Sequence, residues 1–294
     1  DVMADMVLKG LPPAREWADA LAAVTFDDSL DPAFRALCLR LPGEDDMAQT
    51  IHAMGRIPDP GKIHAARREM AGALAIRLGD GLRRLYDGLD DGLPFSPSAA
   101  QAGRRALRLA ALTLLTLRDG GRLAAAAFAG AVSMTEATGA LSALLDIGRG
   151  QPELDAFAAR WGHDANVMDK WYALQIAHAE PSDAVAVTSR LARRHDFDWR
   201  NPNRFRSVVG TFSANHAGFH LRSGDGYRLV ADWLLRLDPL NPQTAARLST
   251  AFETWHRYDA VRRKHAKAQL ARILAAPGLS SDLAEMTERM LTAV

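Results

Sequence analysis

Few residues in this chain have the types and spacing that could do chemistry. His216 and His220 are four apart, one turn of a helix, which can bring two imidazoles to one face, as a zinc site needs. Position 217 is Ala, where a zinc-protease helix of the H-E-x-x-H kind carries its general base, so the pair reads as packing or surface. Cys38, the single cysteine, has no histidine within twenty residues upstream or ten downstream and reads as a small buried hydrophobe. Gly224-Asp225-Gly226 reads as the turn before a helix. No G-x-x-x-x-G-K-S/T, no G-x-G-x-x-G after a strand and no G-x-S-x-G occurs, which removes phosphate loops and nucleophile elbows. Arg204, Arg206 and Arg257 lie beside caps and turns, where free N–H groups and the positive helix end favour an anion; plain surface charge is the other reading. Trp161, Trp171, Trp199, Trp233 and Trp255 gather in the second half and read as core.

The elements that must position these residues are helices. Ala (54) and Leu (38) make up nearly a third of the 294 residues, while Val and Ile together number 19. Ala and Leu favour helix, and strands want β-branched residues. Asp31-Pro32, Asp59-Pro60, Ser96-Pro97, Asn201-Pro202 and Asn241-Pro242 each place a capping side chain before a proline that gives up no needed N–H. Ser133 with Glu136 reads as a capping box. These signals predict helices over 12–24, 32–41, 44–54, 60–88 (broken near Gly79), 97–118, 120–131, 134–147, 152–161, 165–178, 182–194, 202–212, 225–238, 242–256, 258–276 and 280–293. In 225–238, Tyr227, Val230, Leu234 and Leu237 form one apolar stripe, with Asp232 and Arg236 at salt-bridge spacing. The helix over 97–118 is apolar nearly all round from Ala106 to Leu117 apart from Arg108, so it should be central. Short loops make neighbours antiparallel, and a series of such pairs builds an all-α, armadillo/HEAT-like α-solenoid. The two Asn-Pro caps forty residues apart fit a repeat of that size, although no consensus recurs. At about 150 residues per domain the length allows one large domain or two. We expect one helical domain over 1–294, with a possible seam in the Gly/Pro/Asp-rich stretch 88–97.

Charge narrows the partners. The chain carries 36 basic and 35 acidic residues, net +1, so nucleic acid and anionic membrane are poor partners. The longest uncharged apolar run, Leu123 to Val132, is too short to span a bilayer. One cysteine and no signal peptide fit a cytoplasmic setting, and a chain opening on Asp1 reads as an excised fragment. On these grounds alone the protein is a helical solenoid without its own catalytic centre. A freestanding scaffold that binds a protein on its concave face and a helical-toroid enzyme both remain open.

Particular strings are more specific. NVMDKWYALQ (166–175), NPNRFRSVVGTFSANHAGFH (201–220), GDGYRLVADWLLRLDPLNPQTAARL (224–248), HRYDAVRR (256–263) and LSSDLAEM (279–286) resemble the C-terminal helical domain of bacterial aminopeptidase N, in the zinc-dependent gluzincin aminopeptidases. SLDPAFRALCLRLPGEDDMAQ (29–49) and SMTEATGALSALL (133–145) look like the same domain, and 80–130 is the least distinctive part. The resemblance implies an accessory domain that closes a chamber over the active site of an enzyme removing N-terminal residues from peptides. Its partners would be the N-terminal catalytic domain of the same enzyme and the peptide. The zinc, the H-E-x-x-H helix and the G-A-M-E-N loop belong to that catalytic domain, so no catalytic residue, metal ligand or cofactor is expected here. The resemblance also implies that Arg206, Gln243 and Arg247 look into the chamber and meet the C-terminal side of the substrate. Gln243 and Arg247, at i and i+4, project from one face, which agrees with that role; ion pairs between domains are the alternative.

Overall fold

A computed structural model describes residues 2–90 and 92–292. Among these residues every regular element is helical. In chain order they are α1 (Val2–Lys9), α2 (Arg15–Phe26), α3 (Pro32–Cys38), α4 (Glu44–Ala53), α5 (Pro60–Leu78), α6 (Gly81–Gly88), α7 (Ala99–Asp119), α8 (Arg122–Ala129), α9 (Met134–Leu145), α10 (Gln151–Trp161), α11 (Ala165–Ala177), α12 (Ala184–Leu191), α13 (Pro202–Phe205), a π-turn (Arg206–Gly210), α14 (Thr211–Ala214), α15 (His216–Phe219), α16 (Asp225–Leu237), α17 (Pro242–Ser249), α18 (Ala260–Leu274) and α19 (Ser281–Thr292). The chain forms two compact units, Asp1–Gly43 with His64–Arg160, and Glu44–Ile63 with Trp161–Val294. The stretch 88–97 lies within the first unit.

Local chemistry sets most helix starts. Asp31 accepts from the N–H groups of Ala33 and Phe34, Asn201 from Asn203 and Arg204, and Asn241 from Thr244. Asp59 accepts from Gly61 and Lys62, and Ser133 and Glu136 close a capping box. One expected cap moves. α7 starts at Ala99 with Ser98 as its cap, while the Ser96 N–H donates to the Gln101 side chain. The predicted helix over 60–88 is broken where Gly79 takes φ +53.

In the first unit α7 is the centre. Leu107, Ala111, Leu112, Leu114 and Leu115 are buried, and the helix packs on α3, α6, α8 and α9. Its Gly103 lets α3 approach closely: a Cβ there would stand 3.1 Å from the main-chain nitrogen of Ala33. Cys38 is free and only half-buried, because α3 ends there and Leu39 takes the buried position.

In the second unit Tyr227, Val230, Leu234 and Leu237 are buried along α16 as the stripe predicts. The expected Asp232–Arg236 pair is not made. Asp232 pairs with Arg272 (2.5 Å), and the Arg236 guanidinium lies over Trp199 and Trp233. The single helix expected over 202–212 is α13, the π-turn and α14, and α15 follows unforeseen. Asn215 causes the break: its side chain accepts from Gly218 N–H to start α15 and donates to the carbonyls of Ile176 and Ala179. The helix expected over 242–256 stops at Ser249, where the hydroxyls of Ser249 and Thr250 donate back to the carbonyls of Ala246 and Arg247. Two 3₁₀ turns, Thr250–Phe252 and Trp255–Arg257, follow.

The Gly224-Asp225-Gly226 turn is structural. Gly224 has φ +79, and a Cβ on Gly226 would stand 2.3 Å from the main-chain oxygen of Phe219. Backbone at both sides of that contact cannot yield cheaply. Gly226→Ala should destabilise the protein by about 1–3 kcal/mol, measured by urea denaturation; an unchanged midpoint would mean that α15 and α16 are not held this closely.

Candidate functional site

The motif strings converge on one buried guanidinium in the second unit. Arg204 Nε donates to Asp169 Oδ1 (2.5 Å), Nη1 to the Asp196 carbonyl (2.6 Å) and Nη2 to the Ala165 carbonyl (3.1 Å). Its side chain is 10% exposed and that of Asp169 18%. The guanidinium also lies 4.7 Å from the ring centre of Tyr172. The NPNR segment is thereby fixed to α11, which carries the VMDKW string. Next to it Arg194 grips Asp196 with two nitrogens (2.8 and 2.9 Å), and Tyr172 Oη donates to the same carboxylate (2.6 Å). Burial works against the charge on Asp196, but the hydrogen bonds from Arg194 and Tyr172 prevail and hold its carboxyl at about 2. Tyr172 is pushed up to about 12 by burial and by Asp196. The tryptophans pack: Trp171, Trp233 and Trp255 are buried, and Trp255 Nε1 donates to the Met290 carbonyl.

The three residues assigned to the substrate occupy different settings. Arg206 is exposed at the first position of the π-turn, one residue past α13, and its Nη2 donates to Asn203 Oδ1 (2.6 Å). π-Turns within helices are frequent at functional sites. Gln243 and Arg247 are exposed one turn apart on α17. Among the described residues neither side chain is engaged in a hydrogen bond or ion pair. Because α17 is only eight residues long, Arg247 lies in its last turn, and only Gln243 sits beside the free N–H groups of the start. Arg257 is not at such a start either; it points toward Asp45 at 3.8 Å.

His216 and His220 form a second polar group with residues from distant positions. His216 Nε2 and Tyr258 Oη are 2.8 Å apart, as are His220 Nδ1 and Tyr227 Oη. His216 Nδ1 lies 3.7 Å from Glu44 Oε2. Arg262 Nε donates to the His220 carbonyl (2.7 Å) and Nη1 to Asp259 (2.5 Å). Burial, then His216 and Arg262, push His220 well below the usual histidine range, and burial pushes Tyr227 and Tyr258 up. The two imidazoles and the two phenols bond and stack on one another inside the unit, so this group is a packed polar network. The sequence signal for it was the i, i+4 spacing, which with Ala217 between the two histidines reads as packing or surface rather than a metal pair. Among the described residues no three His, Cys, Asp or Glu side chains come together to hold a metal.

The depressed Asp196 carboxyl ties stability to pH. A carboxylate with a lower folded than unfolded value contributes stability above the unfolded value, about 3.9, and loses it as pH falls toward about 2. The stability gap between the natural protein and Asp196→Asn should be constant from pH 7 to about 4.5 and shrink below that, read by urea denaturation; a gap independent of pH would show that Asp196 is not held charged by its neighbours.

Comparison with known proteins gives the chain's family. The model of a family described as a domain of unknown function, DUF3458_C, ARM repeats, matches residues 1–292. Aminopeptidase N of Caulobacter vibrioides is 39% identical over 282 residues, covering 94% of this chain and 32% of that protein. Aminopeptidase N of Escherichia coli is 33% identical over 282 residues, with 93% and 32% covered. The crystal structure of Legionella pneumophila aminopeptidase A in complex with aspartic acid matches with a TM-score of 0.87 at 27% identity, over 99% of this chain and 36% of that one. The chain thus spans about a third of the length of the curated relatives it matches. It belongs to the armadillo-repeat family DUF3458_C, the C-terminal helical domain of aminopeptidase N.

Proposed function

We propose that this chain is the accessory domain that caps the active-site chamber of a zinc aminopeptidase acting on the N-terminal residues of peptides, and that it is not catalytic alone. The family model runs through both compact units, which supports reading residues 1–294 as one accessory domain. The remaining two-thirds of the relatives' length would hold the zinc and the chemistry, and would be this domain's partner. One free cysteine suits a reducing, cytoplasmic setting, and no helix among the described residues is long and apolar enough to cross a membrane.

Within that reading Arg206, Gln243 and Arg247 meet the peptide beyond the scissile bond. The observation that carries this assignment is the pair on α17: an exposed amide and an exposed guanidinium one turn apart, neither engaged by a neighbour among the described residues. A guanidinium offers five donors in a planar fork that fits a carboxylate. Gln243 adds an amide beside the free N–H groups of the helix start. In the closed chamber these donors hold the C-terminal side of the peptide while the catalytic part works on the N-terminal side.

The test is Arg247→Ala in the full-length enzyme, with a tripeptide and an amino-acid arylamide as substrates. A hydrogen bond to a charged group contributes on the order of 1.5–3 kcal/mol. The tripeptide should therefore lose roughly ten- to a hundredfold in kcat/KM, mainly through KM, because the contact exists before the transition state. The arylamide lacks the distal groups and should be unchanged. Equal losses on both would make Arg247 a brace between domains, and no loss on either would make it an exposed helix charge.

A further inference from the structure

The first unit contains a cavity that the accessory role does not use. It has a volume of about 520 Å³, inside the range of roughly 300–1,000 Å³ typical of small-molecule sites. It lies between α7, α8 and the residues Leu89, Asp90, Gly92, Leu93 and Phe95. Leu109, Leu112 and Leu123 line it, with Ala126 and Ala127 of α8. Phe95 and Val132, 53% and 77% exposed, also line it.

One wall is cationic. Arg104, Arg105 and Arg108 stand at i, i+1 and i+4 on α7 and all face the cavity. Its two described acids are already committed. Glu136 Oε2 accepts from the N–H groups of Val132 and Ser133 and from the Ser133 hydroxyl. Asp90 takes Arg108 Nη2 at 2.6 Å. Arg105 has no carboxylate partner among the described residues. Its Nη1 donates to the Ser96 carbonyl (2.9 Å) and to Gln101 Oε1 (3.2 Å), and its guanidinium lies over Phe95 at 4.7 Å. Three of its five donors are therefore unused. Arg108 commits only Nη2, to Asp90, so its Nη1 is unspent among the described residues. An apolar floor calls for an apolar body, and unspent guanidinium donors at its edge call for an anionic head.

We infer that the cavity between α7, α8 and the segment carrying Leu93 and Phe95 binds an amphipathic carboxylate, an apolar chain or ring with one anionic head, its body on the leucine and alanine floor and its head on Arg105 and Arg108. The site is distinct in place and chemistry from the α17 pair, so it stands or falls independently of the peptide-binding assignment.

Sodium decanoate is the probe, titrated into the intact enzyme by calorimetry below its micelle concentration, with decanol and inorganic phosphate as comparisons. Decanoate should bind saturably, one per chain. Ala126→Trp, a change at an exposed position of α8, fills the cavity and should remove that binding while circular dichroism and arylamide turnover stay unchanged. Arg105→Gln should weaken decanoate about tenfold, the size of one charged hydrogen bond lost, and leave decanol unchanged. Phosphate should give no measurable heat, having no apolar body. Absence of decanoate binding to the natural protein, binding that survives Ala126→Trp, decanol binding as tight as decanoate, or phosphate binding at the same site would each overturn the inference.

Discussion

A buried charge has to be answered inside the protein, and Arg204 is that charge. Moving a guanidinium out of water costs several kcal/mol unless opposite charge and hydrogen bonds replace the solvent. Asp169 supplies the opposite charge, and the carbonyls of Ala165 and Asp196 take donors that remain. These three partners come from the start of α11, its next turn, and the segment before α13. Separating those segments would strip the guanidinium of all three partners. The interaction therefore specifies which parts of the chain meet as much as it stabilises them.

The surrounding structure follows from that fixture. Asp196 is held at its main-chain oxygen by Arg204 and at its carboxylate by Arg194 and Tyr172, so the segment between α12 and α13 has little freedom. Phe197 in that segment and Phe205 of α13 both set their rings edge-on to Trp233 of α16, which carries the order onward to the helix packed against α17 and α18. The exposed residues proposed to meet peptide sit on elements tied into this chain of contacts. Arg206 is two residues beyond Arg204, and α17 rests on α16. Rigid support behind exposed donors is what a binding surface needs, because each donor held in place costs less entropy on binding.

How much of this was legible depended on range. Helix starts at Asp31, Asn201 and Asn241 and the stripe on α16 were readable because caps and periods act within one helix. The choice of Ser98 over Ser96, and of Arg272 over Arg236 as the partner of Asp232, is made by neighbours in space and left no local mark. Asn215 sat inside a helical pattern, and only its bonds to Ile176 and Ala179 turn it into a break. Asp169 and Arg204 stood in the two most recognisable strings, but nothing in their spacing says that they touch. The assignment of Arg206, Gln243 and Arg247 came from family resemblance; spacing contributed only the shared face of the last two. Of the cationic wall only Arg108 stood out in the sequence, as a polar interruption of an apolar helix, because the cavity it lines with Arg104 and Arg105 is closed by a segment folded back from outside α7.

The most direct test of the account is a double-mutant cycle on the Arg204–Asp169 pair, with stability read by urea denaturation of the natural protein, Arg204→Met, Asp169→Leu and the double variant. If this pair organises the second unit, each single change strands a buried charge and costs about 3–5 kcal/mol. The double variant then costs less than the sum by well over about 1 kcal/mol, because neither charge remains to be stranded. Single losses of about 1 kcal/mol or less that add within about 0.5 kcal/mol would contradict it, and would reduce the pair to one salt bridge among many.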